Sequence, residues 1–135
     1  MLAKVVYIDI VNKPYPMVFS LACMKDMKGF DEISKRAKED KDISDSAEII
    51  IRMLTTLITS GCNYCNRLKM TGYKNSPAIN GYIKPLTRDD IQYLIPATKE
   101  SLYYVVKKIQ LSVDVSKSKS ITAVTPPGSK KKKKR

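Results

Sequence analysis

The chain has 135 residues, 43% of them hydrophobic, which is enough for one domain, or one domain and a tail, and excludes global disorder. Its net charge of +12 is uneven: residues 116–135 hold eight basic groups and no acidic one, leaving 17 basic and 13 acidic groups in residues 1–115. The domain itself is therefore only mildly basic, and the absence of histidine excludes Ser-His and Cys-His nucleophile pairs and removes the commonest general base and metal ligand at neutral pH.

Residues 2–10 alternate imperfectly and are dominated by β-branched side chains, which predicts a strand. Pro14 and Pro16 cannot donate to a ladder, so Asn12 to Pro16 reads as a turn or edge connection, with 17–20 as the return strand. Ser20 is placed to cap a helix over Leu21–Met27, in which Leu21, Met24 and either Met27 or Lys28 share a face, and Gly29 to stop it. Residues 31–41 mix charges of both signs around the i,i+4 pair Ile33 and Ala37, which predicts a short, exposed and solvated helix.

The strongest helix runs from Ser46 to Ser60. Asp45 with Glu48 three residues on makes a start like a capping box. Ala47, Ile50, Ile51, Leu54 and Ile58 recur at helical spacing, and Ile49, Met53 and Leu57 widen the stripe, so this helix belongs at the core. Gly61 either ends it or bends it, and Tyr64, Cys65 and Leu68 suggest that the helix resumes before Thr71-Gly72.

Cys62 and Cys65 have the C-x-x-C spacing of a zinc half-site or a redox pair. A structural zinc site needs two further ligands, and without histidine only Cys23 is at hand. A thioredoxin-like pair follows a strand and opens a helix, whereas this one follows a long helical pattern. The plain reading is of reduced thiols half buried on a helix. Three cysteines at irregular spacing also make no disulfide framework.

Residues 71–86 form a long loop by composition, with Tyr73, Tyr82 and Ile83 as its anchors or contact points. Thr87 with Asp89 and Asp90 caps the next helix, whose apolar side is Ile91, Leu94 and Ile95. Pro96 ends that helix and is a candidate for the first turn of the following one. The last helix carries Leu102, Val105, Val106, Ile109 and Val113 at helical spacing. From residue 114 the Ser, Lys, Thr and Pro content predicts a flexible basic tail. The expected fold is α+β and mostly α. It comprises a domain over residues 1–113, with an N-terminal β-hairpin followed by a small helical bundle of four or five helices, and a disordered tail over 114–135.

Two functional classes fit. The helices on either side of Pro96 can be read as a helix-turn-helix, with Lys99, Tyr103, Lys107 and Lys108 as nucleic-acid contacts aided by the lysine tail. Pro96 stands where such a turn usually holds glycine, Glu100 near the reading end would meet phosphates, and an ordinary helical pair explains the same spacing. The run Lys130 to Lys134 can hold phosphate backbones, serve as a nuclear address or keep the chain soluble. It can also reflect A-rich codons on which a ribosome shifts frame. Catalysis has little to stand on. Asp89 and Asp90 are adjacent and do not face each other, the other carboxylates sit among lysines, and no glycine-rich phosphate loop occurs. The chain reads as a non-enzyme with no catalytic residues, no metal site and no cofactor. No apolar run approaches the roughly 20 residues of a membrane span. Nor does a cleavable secretory pattern follow Lys4, so a soluble, intracellular protein is expected.

The strand-turn-strand ending in Lys13-Pro14-Tyr15-Pro16-Met17-Val18-Phe19-Ser20 leads into a helix. The apolar central helix, the Leu86-Thr87-Arg88-Asp89-Asp90-Ile91 helix start, the final amphipathic helix and the lysine-rich end follow in turn. Laid end to end, this pattern resembles the tail assembly chaperones of long-tailed bacteriophages and related prophage elements. The resemblance implies a protein of the host bacterial cytoplasm that coats the tape-measure protein and helps tail-tube subunits assemble around it. It also implies that a −1 frameshift near the gene's end yields a longer product, for which Lys130–Lys134 is a fitting site. It implies no cofactor and no active site, and leaves self-association open. The physical logic is that a long helix with apolar stripes aggregates unless a small partner offers it a groove. Met17, Phe19, Met24, Met27 and Phe30 cluster near the first helix and are the expected partner contacts, insofar as any of them are exposed.

Overall fold

The computed structural model describes residues 4–117. The fold is α+β and mostly helical, and it opens with a two-stranded antiparallel hairpin, β1 (Val6–Ile10) and β2 (Lys13–Met17). The turn is only Val11-Asn12, with φ of 51° and 63°. Positive φ at both central residues is the form whose twist suits a two-residue hairpin.

The return strand therefore starts four residues earlier than the expected residue 17 and contains both prolines. The register explains why they are tolerated. Ile10 pairs with Lys13 beside the turn, which sets Pro14 opposite Asp9 and Pro16 opposite Tyr7. Pairs alternate in such a ladder, so both prolines fall at sites whose backbone N–H would point away from the partner strand, and the missing donor costs the ladder nothing. The same alternation aims the Asp9 N–H and the Pro14 carbonyl outward, and each meets a tyrosine. The Asp9 N–H donates to the Tyr104 hydroxyl at 3.0 Å, and the Tyr73 hydroxyl donates to the Pro14 carbonyl at 2.6 Å. Both open edges of the hairpin are thus partly closed by side chains.

A 3-10 helix, Leu21–Met27, follows, then α1 (Phe30–Lys38), α2 (Ala47–Leu68), α3 (Arg88–Leu94) and α4 (Lys99–Lys117). Ser20 does not cap with its side chain; its hydroxyl pairs instead with that of Ser60 at 2.7 Å. Gly29, at φ 87°, turns the chain into α1. That helix is less solvated than its charge suggests, because Phe30, Ile33 and Ser34 are buried. Asp45 does not cap α2 either. It pairs with Arg36 at 3.0 Å, and Ser46 takes the N-cap position without a side-chain bond.

Helix α2 is one 22-residue element that continues through Gly61. The glycine serves packing rather than termination: a Cβ there would land on the Pro16 carbonyl and 2.7 Å from the Met17 nitrogen. The hairpin consequently lies directly on α2, and Ile8, Met17, Leu54, Leu57, Ile58 and Cys62 are all fully buried in one core with Ile83, Ile91 and Ile109.

Residues 71–86 form a loop, as composition predicted, and the loop is pinned. The Asn66 amide donates to the Ile83 carbonyl at 3.0 Å and accepts from the Ile83 N–H at 2.9 Å. The Thr71 hydroxyl donates to the Gly81 carbonyl at 3.0 Å. Ile83 is fully buried and Tyr73 packs edge-on to Tyr7 with ring centroids 4.9 Å apart, so these two are anchors, whereas Tyr82 is exposed.

Thr87 and Asp90 form a reciprocal capping box on α3, with both bonds at 3.0 Å. Helix α4 starts at Lys99, with the Thr98 hydroxyl accepting from the Ser101 N–H at 3.0 Å, so Pro96 precedes the helix instead of sitting in its first turn. Val105, Val106, Ile109 and Val113 are buried as their spacing predicts. The helix continues to Lys117, beyond the expected domain end at 113. The lysine run and the rest of the expected tail from 118 onward lie outside the described residues. Among the described residues no helix is long and apolar enough to cross a membrane.

Candidate functional site

Helices α1 and α4 run side by side in opposite directions. Near the C-terminal end of α1 the Tyr103 hydroxyl reaches the Lys41 carbonyl at 2.7 Å and Asp40 Oδ1 at 3.2 Å. Midway, the Ser34 hydroxyl donates to Gln110 Oε1 at 2.5 Å. At the other end Phe30 and Val113 line a common depression.

Between these ties lies an open groove of about 740 Å³. Its apolar surface comes from Ala37 on α1 and from Tyr103, Tyr104, Val106 and Leu111 on α4. Tyr104 and Leu111 are 38% and 42% exposed, which leaves a partly exposed apolar line on a helix whose other face is core. The banks carry Lys38, Lys107 and Lys108. Two carboxylates also reach the rim, and both are engaged. Asp40 pairs with Lys99 at 3.3 Å, which raises the Lys99 pKa, and Asp114 accepts from Gln110 Nε2 at 2.8 Å. The Lys99 ammonium lies 5.5 Å over the Tyr103 ring and that of Lys108 5.9 Å over the Tyr104 ring. Across the Asp40–Tyr103 tie a second groove, of about 630 Å³, opens between the start of α2 and the α3–α4 link, lined by Ile43, Ile51, Ile95 and Leu102 among others.

The expected partner contacts divide. Phe19, Met24, Met27 and Phe30 come together around a smaller depression of about 280 Å³ at the far end of the α1–α4 pair. Within it Met24 is 58% exposed, Phe19 half-buried, and Met27 and Phe30 buried. Met17 is not among them: its place in β2 turns it into the core, where it is fully buried. Of the four residues considered for nucleic acid, Tyr103, Lys107 and Lys108 line the larger groove and Lys99 lies beside Tyr103. Lys99 and Tyr103 are tied to Asp40 and Lys41, Lys107 and Lys108 stand on the groove bank, and α3 and α4 each pack on α2. Sequence reasoning missed Tyr104 and Leu111 as site residues because they lie off the buried stripe of α4, and it placed Ala37 only as the i,i+4 partner of Ile33. The available signal was Tyr104 and Leu111 recurring seven apart, off that stripe.

Cys62 and Cys65 are fully buried on α2, not half-buried. Burial pushes their thiols up from an ordinary 9.0 to about 12 and about 11 respectively, with the neighbouring Cys65 adding to the shift at Cys62. Burial thus disfavours the thiolate, the form in which a cysteine acts as nucleophile or metal ligand. The described residues contain no group of three or more His, Cys, Asp or Glu side chains placed to hold a metal ion. No protein-family model, curated protein or solved structure matches the chain.

Proposed function

We propose that this chain is a non-catalytic assembly chaperone. It covers the apolar stripe of a long helical partner, and that partner is the tape-measure protein of a long-tailed bacteriophage, around which tail-tube subunits then assemble in the host cytoplasm. The observation that carries the reading is the apolar groove between α1 and α4, about 740 Å³, floored by a helix that shows Tyr104 and Leu111 to solvent. A helix in a groove is the standard way for a small domain to mask such a stripe. The Met24 depression at the far end of the same helix pair extends the apolar surface along the roughly 28 Å that a helix of this length spans. Methionine suits contact with varied partner sequence.

Co-expression with a tape-measure protein tests the proposal. The intact chain is expected to keep that protein in the soluble fraction and to co-purify with it. Leu111→Asp, which places a charge in the groove without touching the core, is expected to return the partner to the pellet. A tape-measure protein that is equally insoluble with and without the chain would refute the proposal.

A further inference from the structure

Resting on that reading, we infer that the α1–α4 groove selects an amphipathic helix whose apolar stripe is flanked by acidic residues. The groove's rim is mixed in sign, with cations in excess: Lys38, Lys107 and Lys108 against Asp40 and Asp114. Asp40 is paired with Lys99 and accepts from Tyr103, whereas Asp114 keeps its charge, because the Gln110 amide that donates to it is neutral. Among the described residues, Lys38 and Lys107 have no ion pair, and Lys108 lies only over a tyrosine ring. One cation stands on the α1 bank and two on the α4 bank. A helix laid between them meets positive charge on both sides of its apolar stripe.

Exposed pairs are individually weak, each worth roughly a factor of two to five, so three acting together give about a tenfold preference for carboxylates. The same lysines repel a partner with basic flanks, and discrimination grows from both effects. Lysine stems also lie along apolar surface while their heads stay wet, so the cations do not spoil the groove.

Two synthetic helical peptides with the same leucine stripe, one flanked by glutamates and one by lysines, separate the possibilities by fluorescence anisotropy against the full chain. The glutamate peptide is expected to bind about tenfold more tightly at roughly 0.1 M salt. Lys107→Glu/Lys108→Glu is expected to reverse the preference. Lys69→Glu/Lys74→Glu, which makes the same change in net charge on the 71–86 side of the molecule, is expected to leave it intact. Equal binding of the two peptides, or an equal effect of the remote pair, overturns the selectivity while the chaperone reading stands. Failure of both peptides to bind the wild-type chain overturns that reading as well. A single-stranded oligonucleotide that displaces the glutamate peptide and loses its grip with Lys107→Glu/Lys108→Glu assigns these lysines to phosphates, and so also overturns the selectivity.

Discussion

Gly61 lies against the carbonyl of Pro16 at a separation no side chain would permit, which seats the hairpin on the middle of α2. The consequence is unusual for a helix-interior glycine. Exchange for alanine normally gains about 1 kcal/mol through helix propensity, but here the new methyl meets backbone, which cannot rotate away. Gly61→Ala is expected to lose at least about 2 kcal/mol net, read as a lower denaturant midpoint with unchanged slope. A stabilised variant would show that hairpin and helix are not in this contact.

The two tyrosines on the hairpin edges are expected to differ. The Tyr73 hydroxyl serves the carbonyl of the buried residue Pro14, whereas Tyr104 serves the N–H of the exposed residue Asp9, which water can replace. Tyr73→Phe should therefore cost about 1 kcal/mol, and Tyr104→Phe less than about 0.5 kcal/mol. Thermal or chemical unfolding of the two variants checks the order.

Ser112 is fully buried on α4, and its hydroxyl has no hydrogen-bond partner among the described residues. Removing an unsatisfied buried polar group while keeping the Cβ should help, so Ser112→Ala is expected to stabilise by about 1 kcal/mol. A loss of stability on denaturant unfolding would show that the hydroxyl is bonded.

Burial raises the Cys62 and Cys65 thiols to about 12 and about 11, and raises Tyr7 and Tyr73 in the same direction. The folded chain therefore holds protons that the unfolded chain gives up from about pH 9. Their contribution to stability is complete below pH 9 and is lost as pH rises toward 11–12. The denaturant midpoint should fall as pH rises from about 9 to about 10.5, and thiol reagents at pH 8 should label Cys62 and Cys65 only on unfolding. A midpoint flat over this window, or fast labelling of the native chain, would contradict the burial.

Much of the architecture could be read in the chain because local and tertiary preferences agree. The isoleucine and leucine stripe of α2, the Thr87–Asp90 cap and the Val105–Val113 face of α4 all fall where their spacing requires. The misreadings occur where a partner far along the chain decides. Pro14 and Pro16 belong in a strand because its register turns their nitrogens outward. Gly61 stays helical because Pro16 needs the room, and Asp45 leaves the α2 cap because Arg36 claims it. The candidate site was only half legible. The methionine group near the first helix does gather at one end of the α1–α4 pair, apart from Met17. The larger groove depends on how far apart two packed helices stand, and no spacing in one sequence encodes that.

The central claim is that a helical partner occupies the α1–α4 groove. Sedimentation of the chain with a purified tape-measure fragment tests it most directly, with wild type and Leu111→Asp run side by side. The account predicts a stable complex for wild type and separate species for the variant, with both chains equally folded by circular dichroism. Two separate species for wild type, or the same complex for both chains, would contradict it.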